Sequence, residues 1–388
     1  MALIKVKSRG TDNVIGRRNL VINGAMQIWQ RGTTSSALTH NGGVYHTADR
    51  WGAVLDQDQG SGTLTTTFSQ STDVPSTETF PYSLKAVVAS SSRTPSGTDC
   101  TALFYQHIET YNANPLGWGT AAAKPATLSY WIKSSVAGTG TLQLRLNDSN
   151  QVNGVADAQF YTKFTINQAN TWEKKTHLIP ANATDGWRRD VSASAIQVYW
   201  FFGSNQAAAP TQDAWFRQNN YGQKHDDATF NFQVTGGTAY ITGVQFEVGS
   251  SATDFEHRSF GEELSLCQRY FYIFPRTGGT LRWNVTYYSG SAYATDNLPS
   301  MRVLPTVTDI ATGTSTASGF NVYALDGDSM NSSTNEGNAP TLGSQGLPEN
   351  PVITAQWTGV SKPTGTANHP GGASYNGALP GIHCSSEL

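Results

Sequence analysis

Charged residues are scarce in this sequence, at 14% of 388 residues, and the formal net charge is -3. Basic residues do not outnumber acidic ones, with 25 Lys and Arg against 28 Asp and Glu, so nucleic acid is not an expected partner. No apolar run approaches the length needed to cross a bilayer, and we expect no membrane insertion. The first ten residues, MALIKVKSRG, lack the apolar core of a signal peptide, which favours assembly in a cytoplasm.

Cysteines are few as well. Cys100, Cys267 and Cys384 lie far apart, and an odd, scattered set argues against a disulfide framework or a zinc site. We therefore expect each cysteine to be a small buried hydrophobe.

Amphipathic helical windows are almost absent, whereas short runs alternate between apolar and polar residues. A period of two is typical of half-buried strands, and many short strands with polar turns favour an all-β sandwich or barrel. The strand number and chain length favour a jelly-roll β-sandwich. Its strands are predicted at 19–30, 51–55, 63–69, 82–88, 102–108, 126–134, 140–146, 161–166, 172–179, 196–202, 228–234 and 239–248.

The stretch from Val244 to Tyr270 changes period within itself. Val244, Phe246 and Val248 alternate with two polar residues, as in a strand. The following sequence SFGE is a capping-box pattern, which predicts a short helix. We interpret the stretch as a joint between two domains. The predicted organisation is an N-terminal arm at 1–18, a jelly-roll body at 19–258, a linker helix at 259–275 and a smaller C-terminal β-domain at 276–388.

A polar insertion at 203–227 interrupts the strand pattern and is expected to cover one end of the sandwich. Strands in the C-terminal domain are predicted at 281–288, 306–310, 320–325, 352–358 and 382–388, and a loop is predicted from 326 to 350. A domain so small and polar would be marginal alone, so we expect oligomerisation.

The N-terminal arm is short and basic. It is either a frayed terminus or a segment that docks on a larger assembly by strand addition or charge. Its candidate docking residues are Lys5, Lys7, Arg9, Arg17 and Arg18.

No catalytic residue is assigned from the sequence. It contains neither a G-x-S-x-G elbow nor an H-E-x-x-H pair. Among the acids, Asp226 and Asp227 in KHDDATF are the first to test for a glycosidase pair, although His-Asp-Asp is more often an exposed turn. We expect a protein that is not an enzyme, with polysaccharide depolymerase as an open alternative.

No cofactor is expected, but a structural calcium ion is an open possibility. Asp326, Asp328 and Asn331 cluster side-chain oxygens as calcium loops do, while the rest of an EF-hand loop is missing. No metal ligand is therefore assigned.

Glycan binding is favoured by aromatic residues in the polar C-terminal domain. Sugars have apolar ring faces edged with hydroxyls, which suit aromatic platforms flanked by polar side chains. Each ring taken alone is more often a core or subunit-interface residue. The candidates are Trp283, Tyr287, Tyr288, Tyr293, Trp357, His369 and Tyr375.

Six segments resemble known proteins. NLVINGAMQIWQRG with YHTADRW, VQFEVGSSATDFEHRSFGEELSLCQRYF and MRVLPTVT resemble parts of a group of tailed-bacteriophage structural proteins. LSYWIKSSVAGTGTLQLRL resembles the central hairpin of carbohydrate-binding jelly rolls. The N-terminal ALIKVKSRG resembles arms in proteins of phages that infect marine cyanobacteria. The resemblance spans residues 17–310.

This resemblance implies a virion appendage. The expected function is that of a tail fibre or receptor-binding subunit, which adsorbs to host cell-surface polysaccharide. The expected partners are two further copies in a homotrimer and other virion proteins through the arm. The alternative is a capsid fibre or decoration protein, which would lie on the head of the particle.

Overall fold

The computed structural model describes residues 17–38, 44–45, 47–56, 64–91, 100–147, 157–187, 194–204, 207–218, 222–229, 235–274, 281–288, 291–309, 320–326, 329–334, 341–358, 370–375 and 382–387. The chain divides into two compact units, Met1–Ser259 (unit 1) and Phe260–Leu388 (unit 2). Within the described ranges, no helix has the length and apolarity of a membrane span.

Unit 1 contains two antiparallel sheets. The seven-stranded sheet has the order β1-β2-β5-β10-β7-β8-β11, with strands Val44–Tyr45 (β1), Gly52–Asp56 (β2), Cys100–Glu109 (β5), Gly138–Leu146 (β7), Ala158–Ile166 (β8), Ser194–Ser204 (β10) and Trp215–Arg217 (β11). The five-stranded sheet has the order β3-β4-β12-β6-β9, with strands Leu64–Ser71 (β3), Ser83–Ser91 (β4), Ala126–Ser134 (β6), Glu173–Ile179 (β9) and Thr238–Val248 (β12). After β5, a single helical turn, Thr110–Ala113 (α1), is followed by a 3-10 turn, Asn114–Leu116.

One hydrophobic core contains residues of both sheets. Leu128, Tyr130 and Ile132 of β6 are fully buried in the same cluster as Leu142 and Leu144 of β7. These residues sit at alternate positions, as period-two patterning requires for one face of a strand. Two packed antiparallel sheets around one core confirm the predicted jelly-roll sandwich.

The predicted strand at 19–30 is wrong. The segment is buried but irregular, and Asn23 and Met26 have φ of 57° and 54°. The Asn23 side chain replaces a strand ladder: its Nδ2 donates to the Ile28 and Asp49 carbonyls, and its Oδ1 accepts from the Gln27 and Ile28 amides. Asparagine tolerates the left-handed region and bonds locally, which explains its use here.

The side chains of Asn19 and Arg258 join the beginning of unit 1 to its end, and we call these contacts the closure of unit 1. Asn19 Nδ2 donates to the Val244 carbonyl at 2.9 Å, and Asn19 Oδ1 accepts from the Val21 and Phe246 amides at 3.0 Å each. The Arg258 guanidinium donates to the carbonyls of Asn19 and Val21. Side chains thus satisfy buried backbone groups both in the irregular N-terminal segment and in β12.

The polar side of β12 is not exposed. Gln245 and Glu247 are each 1% exposed. Glu247 accepts from Gln245 Nε2 at 2.8 Å and from the Thr253 amide at 2.9 Å. The Arg18 guanidinium lies 3.6 Å from the same carboxylate. The 249–258 segment therefore covers a strand face that alternation alone predicts to be solvated.

Unit 2 begins with the predicted helix, Phe260–Gln268 (α2), whose first turn carries Glu262 and Glu263. A three-stranded sheet, β13-β22-β16, contains Phe271–Phe274 (β13), Thr306–Asp309 (β16) and Ile382–Ser385 (β22). A seven-stranded sheet, β18-β17-β21-β14-β15-β20-β19, contains Leu281–Tyr288 (β14), Ser291–Asn297 (β15), Phe320–Asp326 (β17), Ser329–Thr334 (β18), Thr341–Leu347 (β19), Asn350–Thr358 (β20) and Pro370–Tyr375 (β21).

The loop predicted from 326 to 350 is wrong, because β18 and β19 both lie within it. Their sequences, SMNSST and TLGSQGL, contain few of the β-branched and aromatic residues that favour strands. They pair with β17 and β20, so the ladder rather than residue propensity forms these strands.

Cys267 and Cys384 are free thiols and fully buried. Burial raises the pKa of the Cys384 thiol to about 12. The expectation that these two cysteines are buried hydrophobes is confirmed, whereas the side chain of Cys100 lies outside the described set.

We predict that Asn19→Ala lowers the free energy of unfolding of unit 1 by about 2–4 kcal/mol, because three buried backbone groups lose their partner. Urea denaturation midpoints at unchanged m-value measure this loss. The exposed Asn297 of β15 offers the matched control Asn297→Ala, which should change stability by less than about 0.5 kcal/mol. Equal effects of the two substitutions would contradict the closing role.

His177 of β9 makes the stability of unit 1 depend on pH. Burial, with a smaller contribution from Lys175, lowers the pKa of His177 from 6.5 to about 4. Its neutral imidazole contacts Tyr130 Oη at 3.0 Å. The unfolded chain takes up the proton first, so stability falls as pH drops from 6.5 to about 4, by up to about 3 kcal/mol.

The measurement is the difference in unfolding free energy between the parent chain and His177→Gln at pH 7 and pH 4. Subtracting the variant removes the carboxylate titrations that both proteins share. A difference that does not change with pH would refute the assignment.

Candidate ligand-binding face

Polar and aromatic side chains form rows across the seven-stranded sheet of unit 1, on the face turned away from the core. In one row, Tyr105 of β5 pairs with Tyr199 of β10, Tyr199 pairs with Gln143 of β7, and Gln143 pairs with Tyr161 of β8. The next row contains His107, Gln197, Arg145, Gln159 and Phe216. We call these nine residues the polar–aromatic face.

The aromatic part of this face lies over β2, β5 and β10. The Tyr105 and Tyr199 ring centroids are 5.5 Å apart, and His107 lies 4.9 Å from Tyr105. Gly52 is paired with Tyr105, and a Cβ at position 52 would lie 2.4 Å from the Tyr105 ring. The absence of a side chain at Gly52 therefore leaves the space that the Tyr105 ring occupies.

The polar part is a closed hydrogen-bond network around Gln143. Gln143 Nε2 donates to Gln159 Oε1 at 2.8 Å and to Tyr161 Oη at 2.7 Å. The Tyr161 hydroxyl donates to Gln159 Oε1 at 2.7 Å. Gln143 is 0% exposed, and its Oε1 has no hydrogen-bond partner among the described residues. A buried acceptor without a donor costs about 1–3 kcal/mol, which a ligand hydroxyl would recover.

Charged residues flank the network. Arg145 Nε donates to Asp157 Oδ2 at 2.5 Å, and about a third of the Arg145 side chain is exposed. At the aromatic end, His107 Nε2 and Tyr199 Oη are 3.2 Å apart, and the Tyr199 hydroxyl donates to Gln197 Oε1 at 3.1 Å. The face thus offers donors, acceptors and ring faces together.

The insertion at 203–227 supplies β11, which pairs with β8 as an edge strand. Trp215 packs 5.1 Å from Trp118, and its Nε1 donates to the Pro180 carbonyl. Phe216 adds a ring 5.8 Å from Tyr161. The insertion therefore extends the sheet and the polar–aromatic face.

The structure gives Asp226 and Asp227 no catalytic geometry. Asp227 forms an ion pair with Lys163, and a hydrogen bond from that lysine lowers the pKa of the carboxyl. Its amide donates to His225 Nδ1 at 3.2 Å, which is a local turn contact. The Asp227 carboxylate is therefore engaged by Lys163, whereas a glycosidase needs two carboxylates that face each other across a cleft.

No metal site forms within the part of the chain that the structure describes, where no group of three or more His, Cys, Asp or Glu residues is close enough to hold an ion. Asp326 ends β17, and Asp328 lies outside the described residues. The structural calcium ion stays a prediction.

Six of the seven C-terminal glycan candidates lie in the seven-stranded sheet of unit 2. Tyr287 pairs with Ala292, and Ala292 pairs with Trp357, so the two aromatic residues share one register position across three strands. The other four are Trp283, Tyr288, Tyr293 and Tyr375, and His369 lies outside the described residues. Their glycan role remains a prediction.

Only part of the predicted docking arm can be placed. Lys5, Lys7 and Arg9 lie outside the described residues, and Arg17 is exposed. Arg18 is bound to unit 1: its amide donates to Glu256 and its guanidinium donates to the Asp254 carbonyl. The docking role of the arm stays a prediction.

Sequence reasoning missed the polar–aromatic face. Its members come from β5, β7, β8, β10 and β11, which are far apart in the chain. A local signal existed in GTGTLQLRL, where Gln143 and Arg145 alternate with core leucines. The pairing of these residues with Tyr199 and Tyr161 was not readable from that pattern.

No protein-family model and no curated protein sequence matches the chain. Among solved structures, it is similar to the enzymatically active domain of bacteriophage CBA120 tailspike protein 4, with a TM-score of 0.32 and 14% identity over 60% of this chain, but it spans only 21% of that chain. It is also similar to a xylan-binding domain from Paenibacillus barcinonensis, with a TM-score of 0.26 and 13% identity, covering 52% of this chain and 92% of that one.

A family 11 carbohydrate-binding module from Clostridium thermocellum, in complex with a mixed-linked tetrasaccharide, gives a TM-score of 0.25 and 10% identity, covering 58% of this chain and 99% of that one. At TM-scores this low, we infer neither fold nor function from these likenesses.

Gly52→Ala tests the packing of the polar–aromatic face. The added methyl group must displace the Tyr105 ring, and we expect a stability loss of about 1–3 kcal/mol. Chemical denaturation measures it. Gly261→Ala is the matched control, because a Cβ there meets nothing within 4 Å. A Gly52→Ala variant with unchanged stability would show that the Tyr105 ring does not need the space at position 52.

Proposed function

We propose that the chain is a glycan-binding structural subunit of a tailed-phage particle, and that its polar–aromatic face binds the saccharide. The observation that carries the proposal is the buried Gln143 amide, whose Oε1 accepts no hydrogen bond among the described residues. A saccharide hydroxyl supplies the missing donor.

The surroundings of Gln143 fit a sugar. Tyr199 and Tyr105 provide ring faces for the apolar side of a pyranose, and Gln197, Gln159 and Arg145 provide polar groups for its hydroxyls. Sugars are recognised by this combination because their hydroxyls need directional partners while their C–H faces need apolar surface.

We further propose that the glycan belongs to a host cell surface and that the chain acts as a tail fibre or receptor-binding subunit. The support is the resemblance of residues 17–310 to phage structural proteins. A homotrimer, docking through the N-terminal arm and location in the virion belong to the same proposal. Repeated weak sites in an oligomer would raise avidity.

The proposal assigns no catalysis to the chain. The Asp226–Asp227 pair is the acidic cluster first considered for a depolymerase, and Asp227 is neutralised by Lys163. Aromatic residues of unit 2, with Trp283 and Trp357 as the largest, remain the second location for saccharide binding.

The decisive experiment is calorimetric titration of the full chain with oligosaccharides prepared from the capsule and lipopolysaccharide of susceptible cells. We expect Gln143→Ala to weaken binding about 10-fold, because it removes the acceptor and opens the network. Tyr199→Phe, a milder change, should weaken binding without unfolding the protein. Gln70→Ala, on the five-stranded sheet, is the matched control and should bind as the parent does.

Each outcome separates the alternatives. Loss of binding only in Trp283→Ala and Trp357→Ala would move the site to unit 2. No binding at millimolar oligosaccharide would overturn glycan recognition, and release of reducing ends would overturn the non-enzymatic role. Immunogold labelling of the particle head rather than the tail would show that the chain is a capsid fibre or decoration protein and not a tail fibre.

A further inference from the structure

A second cluster of aromatic and cationic residues lies on the five-stranded sheet of unit 1, on its face turned away from the core. Tyr240 of β12 pairs with Lys85 of β4 and with Lys133 of β6. In the neighbouring row, Thr242 pairs with Trp131, which pairs with Lys174 of β9. We call the following six residues the lysine–aromatic patch: Lys85, Trp131, Lys133, Trp172, Lys174 and Tyr240.

The rings of the patch are partly exposed and lie beside cations. Lys133 Nζ is 4.5 Å from the Tyr240 ring centroid and 5.3 Å from that of Trp172. Lys85 Nζ is 5.5 Å from the Tyr240 ring. The Trp172 and Tyr240 centroids are 6.0 Å apart. Two rings and two ammonium groups therefore converge on one spot of the sheet surface.

The positive charge of the patch is only partly compensated. Asp73 forms an ion pair with Lys133 and accepts from Trp172 Nε1 at 2.9 Å. Burial alone would raise the pKa of Asp73, but the hydrogen bonds from Lys133 and Trp172 hold it below its usual value. Asp73 also interacts with the charge of Lys85, so one carboxylate serves two lysines.

No carboxylate among the described residues forms an ion pair with Lys174, and Lys85 has only the Coulombic attraction of Asp73, which already pairs with Lys133. The nearby Glu173 is directed elsewhere: it binds Lys175 and the Asn167 amide. The patch is therefore a local excess of positive charge on a chain whose net charge is -3.

We propose that the lysine–aromatic patch is a second saccharide site, selective for an anionic sugar that carries a carboxylate. The sugar ring packs on Tyr240 and Trp172, and its carboxylate lies beside Lys85, whose Nζ is 5.5 Å from the Tyr240 ring centroid. Charge complementarity selects this ligand, because Lys85, Lys133 and Lys174 share the single carboxylate of Asp73 and a neutral sugar would add no counter-charge. Nucleic acid is disfavoured because three lysines neutralise few phosphates.

The site is independent of the polar–aromatic face, which lies on the other sheet of unit 1. The inference therefore does not need Gln143 or its ligand. Substitutions in one face leave the other intact, and failure of one proposal can be told from failure of the other.

The test uses the full chain with two probes, oligogalacturonate and its fully methyl-esterified form, which differ only in the carboxylate charge. We expect measurable binding of the acid and at least about 5-fold weaker binding of the ester, the factor that one exposed ion pair supplies. Lys85→Gln should weaken binding of the acid about 5-fold, and added salt should reduce the difference. Tyr240→Ala should weaken both probes, with folding checked by circular dichroism.

Lys163→Gln is the matched control. It removes one lysine from the other sheet and changes the net charge equally. Equal loss of binding in Lys163→Gln and Lys85→Gln would reduce the effect to non-specific charge attraction and overturn the proposal. Equal affinity for the acid and the ester, or tighter binding of a single-stranded DNA oligonucleotide than of the acid, would overturn it too.

Discussion

The fold of unit 1 depends on hydrogen bonds from side chains to backbone groups that no strand satisfies. Residues 19–28 run through the interior without joining a sheet, and their amides and carbonyls still need partners. Asn19 ties this segment to β12, Asn23 holds its turns, and Arg258 closes it from the far end of the unit. The bonds of Asn19 and Arg258 join residues more than 200 positions apart, so they connect the beginning of unit 1 to its end.

The segments that resemble phage structural proteins contain the residues that make these hydrogen bonds. NLVINGAMQIWQRG and VQFEVGSSATDFEHRS supply Asn19, Asn23, Glu247 and Arg258, all of which serve the closure. Recognition is proposed instead for the two sheet faces turned away from the core.

Those two faces differ in chemistry and in burial. The polar–aromatic face is mostly buried, and its glutamines bond to each other and to Tyr161, which leaves one acceptor of Gln143 for a ligand. The lysine–aromatic patch is more open and has three lysines to one carboxylate. One surface suits directional hydrogen bonding and the other suits charge, and the two proposed saccharide sites use these two modes of recognition.

The sequence by itself determined the all-β class, most of the strands of unit 1 and the helix at 260–268, because alternation and capping are local patterns. It also indicated the core face of β6, where Leu128, Tyr130 and Ile132 are all buried. Only the tertiary structure decided that 19–30 is irregular, that Gln245 and Glu247 are covered, and that Tyr105, Tyr199, Gln143 and Tyr161 form one row. Strand pairing between distant segments sets these features, and no local pattern records which strands will become neighbours.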